Sequence, residues 1–379
     1  MISRREFTDE DVPGYRRLGI ANDAVQENEM IGRIGLVVHG GKPMAVAAAE
    51  RVRQWAAQNA VPCVDIDVWN DGAGDSRLDA AEEASRAGHP DLVVTVGGDG
   101  TFLRGVRIAA SSDSLVLGVD VGHVGFLTEV SIGELEAALG AVHEGRSQID
   151  ARLMLTMRAS RRLEVPADME GLIRYGRGPA LPPPAIRDGD AEHVGWGVPL
   201  DVLALNDVVF EKLARDRQAT VGVYVDGRLF AYYAADALIV SSSTGSTAYS
   251  FAAGGPVMSP DLDALIFTPV APQMVFDRSL ILSRRHRVGV RVLEHSGQVL
   301  VSADGQVRGV LDPGDWVTVY AGANRAKLVR LADVDFLARV RQRFGLLDAP
   351  AALADGSAPA VYMPAAPLPP DMAHPGPPE

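Results

Sequence analysis

Between residues 34 and 144, short apolar runs alternate with alanine-rich, charged stretches, and this alternation restricts the fold more than any other feature of the chain. Ile34-Gly35-Leu36-Val37-Val38, Leu92-Val93-Val94-Thr95-Val96 and residues 115–119 are almost continuously apolar. A strand with one wet face would alternate polar and apolar residues. A continuous run bounded by glycine belongs instead to a strand covered on both faces. Helical patterns over 45–58, 79–87 and 132–144 separate these runs, and a further strand is expected over 61–68. That spacing predicts βαβ units around a parallel sheet.

After residue 150 the pattern changes. Strands are predicted over 153–158, 202–210, 219–225, 237–241, 287–293, 299–303 and 316–320, with one helical segment after Thr244. Asp226-Gly227 has the composition of a tight hairpin turn. The expected architecture is an α/β N-terminal domain with a parallel sheet (31–150), then a β-rich C-terminal domain (151–330), with the active site between them. Residues 1–30 read as an N-terminal extension and 160–199 as a surface insertion. Residues 331–348 are expected to form a C-terminal helix packing back on the first domain, and the Pro/Ala-rich 349–379 a disordered tail.

The 379 residues suffice for two domains of ordinary size, and a hydrophobic fraction of 47% supplies their cores. A net charge of −13 without a Lys/Arg-rich block speaks against nucleic acid as a partner. No apolar run is long enough to cross a membrane, so no membrane partner is expected. The single cysteine, Cys63, excludes an intramolecular disulfide and fits a cytoplasmic location. Its apolar surroundings read as packing rather than chemistry.

The chemistry concentrates at Gly97-Gly98-Asp99-Gly100-Thr101, which follows an apolar strand and leads into a helix over 102–109. Glycines there let the backbone approach a phosphate, and the helix N-terminus adds partial positive charge. A carboxylate in such a loop repels phosphate by simple electrostatics. Asp99 therefore makes sense as the acceptor of a proton from an attacking hydroxyl, or as a holder of a divalent cation. A plain Asp-Gly turn is the competing possibility.

The Gly-Gly-Asp-Gly-Thr segment resembles the signature of a kinase superfamily that includes NAD, lipid and sugar kinases. Three later segments narrow the resemblance: Asn206-Asp207, Thr244-Gly245-Ser246-Thr247-Ala248-Tyr249 and Asp304-Gly305-Gln306. In this order, together with Gly122–Glu129 and Phe267–Pro272, they resemble the NAD kinase family over roughly residues 31–345. The resemblance implies phosphorylation of the 2′-hydroxyl of the adenosine ribose of NAD by ATP or polyphosphate, giving NADP, with Asp99 as proton acceptor. It further implies magnesium with the nucleotide, and a homodimer or homotetramer; no metal ligand is assigned directly. Asn206 and Asp207 then match the adenosine grip, Asp236 a substrate-binding carboxylate, and Thr247, Ala248, Tyr249, Ser250, Phe251 and Ala252 the substrate wall. Gly100 matches a backbone contact, Arg104 and Arg217 cations near the dinucleotide, and Gln306 a further polar contact. Asp120, Ser243, Ala235, Ala237 and Gln273 depart from the residues usual in that family, which leaves the choice between NAD and NADH open. A lipid or sugar kinase of the same superfamily, and a dinucleotide sensor without catalysis, are the alternative readings.

Overall fold

The computed structural model describes residues 31–68, 80–122, 125–166, 183–186, 197–214, 217–274, 276–332 and 335–346. The expected extension, much of the expected insertion and the expected tail lie outside the described residues. The first unit consists of β1 (Ile34–Val38), α1 (Pro43–Gln58), β2 (Cys63–Asp65), α2 (Ala80–Arg86), β3 (Leu92–Gly97), α3 (Asp99–Ser111), β4 (Leu115–Asp120), the two-residue β5 (Val130–Ser131) and α4 (Leu135–His143). Strands β2, β1, β3 and β4 lie side by side and parallel. The continuous apolar runs follow from what covers them. Ile34, Leu36, Leu92, Val94, Leu117 and Val119 pack under α1 and α4, whereas Val37, Val93 and Val116 pack under α2 and α3. Both faces are dry, so neither needs polar residues.

The second unit is built from β6 (Gln148–Ala159), β7 (Val198–Ala204), β8 (Asp207–Lys212), β9 (Ala219–Val225), β10 (Arg228–Ala235), β11 (Ala237–Ser242), β12 (Ala264–Val270), β13 (Leu280–Ser283), β14 (Arg287–Val292), β15 (Val299–Ala303), β16 (Gln306–Leu311) and β17 (Trp316–Arg330). One antiparallel sheet runs β13-β12-β11-β8-β15-β16. It packs against a second layer, formed by β6, β7, β9, β10, β14 and β17, over a core that includes Leu155, Val208, Phe210, Tyr233, Val240, Phe267 and Val290. Asp226 and Gly227 take φ of 50° and 77°, the left-handed pair that a two-residue hairpin between β9 and β10 requires.

Three sequence expectations are corrected. The strand over 202–210 is two strands in different sheets, β7 and β8, with a corner at Leu205-Asn206 where the chain changes layer. The strand over 316–320 continues to Arg330: β17 pairs with β14 over its first part, with β4 of the first unit at Lys327 and Leu328, and with β6 along most of its length. The parallel sheet and one layer of the second unit are therefore a single 11-stranded sheet. The strand over 61–68 shortens to Cys63–Asp65 at the sheet edge, where it has only β1 to pair with. No described helix is long and apolar enough to cross a membrane.

Candidate active site

β3 delivers its last residue, Gly97, directly into α3. Gly98 is the extended N-cap (φ −107°, ψ −171°), and its carbonyl accepts from the N–H groups of Thr101 (2.9 Å) and Phe102 (3.0 Å). Gly97 is required sterically, since a Cβ there would stand 2.3 Å from Thr101 Oγ1. Gly98 and Gly100 face open space instead, so their backbone is accessible to a ligand at the N-terminus of a 13-residue helix. Thr101 is buried beneath the turn.

Asp99 is the first residue of α3 and turns toward the loop after β4. Its Oδ1 accepts from the Leu127 N–H at 3.4 Å, and a Cβ on Gly125 would lie only 2.2 Å from the same oxygen. The glycine of Gly125-Phe126-Leu127 thus lets two loops close on the carboxylate. Burial raises the proton affinity of Asp99 above the usual carboxylate range. The amides of Leu127 and Phe126 and the positive charge of Arg343 oppose that shift without cancelling it. Asp120, at the end of β4, adds negative charge nearby, and its own oxygens accept from Gly122 N–H (2.6 Å) and Thr128 Oγ1 (3.0 Å). His123 and Val124 lie outside the described residues.

The second group of expected residues meets at the corner between β7 and β8. Asn206 is half-buried and Asp207 buried, its carboxyl pushed up to about 7 by burial and, secondarily, by the charge of Asp304. A 3₁₀ turn, Thr244–Thr247, packs on this corner so closely that a Cβ on Gly245 would stand 2.1 Å from the Asn206 carbonyl oxygen. That approach accounts for the glycine in Thr244-Gly245-Ser246. The short helix Tyr249–Ala252 follows, with Tyr249, Phe251 and Ala252 exposed and Thr247 and Ala248 half-buried. Ser250 points inward, its hydroxyl 3.0 Å from Thr268 Oγ1, so it supports the wall from behind.

The remaining expected residues are distributed differently. Arg104 is buried on α3 with Nη1 donating to the Val68 carbonyl at 3.2 Å, at the far end of the β2 segment. Asp236 pairs with Lys212 at 2.6 Å, a cation that the sequence reading did not single out. Arg217 is exposed, and Gln306 is half-buried at the start of β16. Cys63 is half-buried with its thiol pushed up to about 11 by burial, which suits packing and not nucleophilic chemistry.

Sequence reading also missed the reach of the Asp304 side chain and the C-terminal helix Phe336–Arg343 as parts of the site. Asp304 was visible as a turn residue, but a turn does not announce what its side chain reaches. From the helix, Arg339 donates to the carbonyls of Phe126 (3.2 Å) and Thr128 (3.3 Å) and to Glu129. Phe344 lies with its ring centroid 4.3 Å from Phe251 and 5.8 Å from Phe126. This end of the chain thereby touches the loop that donates to Asp99 and the wall segment of the second unit. Among the described residues no group of three or more His, Cys, Asp or Glu side chains is placed to cage a metal ion.

Both units of the chain are similar to known proteins. Residues 34–147 match the ATP-NAD kinase N-terminal domain and residues 205–331 the ATP-NAD kinase C-terminal domain. NAD kinase 1 of Streptomyces avermitilis is 58% identical over 344 residues, covering 91% of this chain and 96% of that protein. NAD kinase 1 of Streptomyces coelicolor is also 58% identical, with 91% and 94% covered. The fold is that of yeast NADH kinase, solved in complex with NADH (TM-score 0.62, 19% identity, 85% of this chain and 89% of that one). It is also that of an Archaeoglobus fulgidus NAD kinase solved in complex with ATP (TM-score 0.54, 23% identity, 83% and 96%). Two family domains in order and a close relative over nine-tenths of its length leave one assignment: the chain belongs to the NAD kinase family.

Proposed function

We propose that this enzyme joins the γ-phosphoryl group of ATP to the 2′-hydroxyl of the adenosine ribose of NAD, with Asp99 accepting the hydroxyl proton. The single observation that carries the reading is the carboxyl of Asp99. It is held between the open backbone of Gly98-Gly100 and the Gly125–Leu127 loop, with its proton affinity raised by burial. A base with a raised pKa keeps a proton it has taken, and holding it at a helix N-terminus puts it beside phosphates. The new bond forms between ribose O2′ and the γ-phosphorus, the bond from that phosphorus to the β–γ bridging oxygen breaks, and ADP leaves. The protein contributes placement and charge stabilisation, as phosphoryl transfer requires.

Asn206 and Asp207 are proposed to grip the adenosine, Thr247–Ala252 to wall the substrate, and Asp236 with Lys212 to line its outer part. Arg217, exposed near this end of the second unit, is proposed as a phosphate contact, and Gln306 as a polar contact beside the corner. For Arg104 the burial against Val68 favours a role in holding α3 instead. A magnesium ion brought by the triphosphate fits a site of this kind, because Mg²⁺ takes most of its ligands from phosphate and water. Asp99 is the carboxylate beside the open glycine backbone that would face it, and the ion would supply charge neutralisation. Polyphosphate is an alternative donor to ATP in this proposal, and the enzyme assembles as a homodimer or homotetramer.

The experiment is NADP formation by Asp99→Asn, measured with ATP and with polyphosphate, and with NAD and NADH as acceptors. Asn keeps the size and loses the proton acceptor, so NAD binding should stay near normal while kcat falls by about a hundredfold or more. Full turnover in that variant removes Asp99 from the role of base.

A further inference from the structure

Leu205, Asn206 and Asp207 turn the chain from one sheet into the other, and a corner leaves backbone N–H groups without a ladder partner. Here three consecutive N–H groups converge on one carboxylate. Leu205 N donates to Asp304 Oδ2 at 2.8 Å, and Asn206 N and Asp207 N donate to Asp304 Oδ1 at 2.7 and 3.2 Å. The Asp304 N–H in turn donates to the Asp207 carbonyl at 2.9 Å. Asp304 reaches this position because it occupies the tip of the β15–β16 hairpin at φ 48°, followed by Gly305 at 70°. Left-handed backbone is uncommon for a side-chain-bearing residue and is tolerated best by Asn and Asp.

The carbonyls of the corner are engaged from the opposite side. Leu205 O accepts from Ser242 Oγ, and Asn206 O accepts from Ser242 N (2.8 Å) and Ser241 Oγ (3.2 Å). Every backbone polar group of the three residues is thus committed to the frame, and the side chains of Asn206 and Asp207 remain to meet a ligand. Arg107 lies on α3, eight residues after Asp99 and so about 12 Å along the helix axis. Its positive charge acts on Asp304, opposing the burial that raises the proton affinity of that carboxyl, and Asp304 acts on Arg107 in return.

We propose that Asp304, the shared acceptor of three consecutive backbone N–H groups, is the positioning residue of the Asn206–Asp207 pair. The proposal rests on reading Asn206 and Asp207 as the adenosine grip. Asp304 acts through the backbone and touches no substrate. A charged acceptor of three amides orients the corner as a neutral one cannot, because a carboxamide presents one oxygen and two N–H donors.

The test is steady-state kinetics of the full-length enzyme carrying Asp304→Asn, Asp304→Glu or Asp207→Asn, with NAD and ATP varied separately from pH 5.5 to 9. In Asp304→Asn the KM for NAD should rise about tenfold or more while the KM for ATP stays within about twofold. The acid limb of kcat/KM for NAD supplies the readout that simple loosening would not move. Asp207 is faced by Asp304, and Asp304 by Asp207 and Arg107. Removing the Asp304 charge should move that limb to lower pH, because Asp207 then ionises more readily. Asp304→Glu keeps the charge but moves the carboxylate off the three amides, so the limb should stay while the KM for NAD rises. Wild-type KM for NAD in both Asp304 variants, with an unmoved limb in Asp304→Asn, overturns the proposal. If Asp304→Asn does not fold, Asp304→Glu alone decides by its KM for NAD, a wild-type value overturning the proposal. An Asp207→Asn enzyme with wild-type KM for NAD overturns the reading of the grip itself, a different outcome from failure at Asp304.

Discussion

Asp99, Asp207 and Asp304 are three carboxyls whose proton affinity the folded protein raises, in each case first by burial. Their linkage to stability therefore runs opposite to that of a salt-bridged aspartate. Between the unfolded carboxylate pKa of about 4 and the folded Asp207 value of about 7, the native state binds more protons than the unfolded one, and stability falls as pH rises through that window. The apo enzyme should melt at a higher temperature at pH 5.5 than at pH 7.5, and Asp207→Asn should flatten that slope. A wild-type slope in the variant, seen by differential scanning calorimetry, would remove Asp207 as its source. At this scale the sequence was informative where chemistry is local. Asp99 stands out because a carboxylate among glycines after a buried strand opposes anion binding unless it takes part in the chemistry. Asp304 does not stand out, since its partners are almost a hundred residues away and only the hairpin's left-handed tip aims it at them.

Helices and strands were legible to the extent that one surrounding layer determined them. The buried strands β1, β3 and β4 declare themselves by apolar continuity, whereas the β7–β8 corner does not, because its residues stay apolar while the chain changes sheet. The C-terminal helix is an instructive case. None of its residues is buried, yet Arg339 holds three groups of the 126–129 loop, and Phe344, just beyond its last turn, joins Phe126 to Phe251. Phe344→Ala should cost about 1–3 kcal/mol of stability, from two aromatic contacts and the area they cover. It should also lower kcat, because the Leu127 amide that holds Asp99 belongs to the loop this helix clamps. Urea denaturation and initial rates on the same preparation check both; unchanged kcat would confine the helix to a structural part.

Across the whole molecule, charge is buried where the two units join. Arg330, on the last residue of β17, pairs with Glu129 at 3.0 Å and with Asp150 at 3.1 Å, while Arg152 pairs with Asp150 and Arg339 with Glu129. Arg152 also reaches Thr244 Oγ1 at 3.5 Å, so the network extends from the loop beside Asp99 to the turn beside Asn206. Removing one member of a buried network strands its partners, and such losses are larger than those of surface pairs. The outer edge has the opposite character: β10 ends the 11-stranded sheet and exposes Leu229, Phe230 and Tyr232. An exposed apolar edge strand is an unusual surface for a lone chain, and it supports the proposed homo-oligomer. Light scattering of the wild type should give a dimer or tetramer and Tyr232→Lys a smaller species; an unchanged mass places the contact elsewhere.

β17 has a consequence for the order in which a ribosome makes the chain. β4 emerges early, but the strand that closes its open edge is translated roughly two hundred residues later. Throughout that interval the nascent first half carries an unfinished sheet with hydrogen-bonding groups turned outward, open to pairing with any neighbouring polypeptide. Slower translation or added chaperone should therefore change the yield of active enzyme without changing the stability of the finished fold.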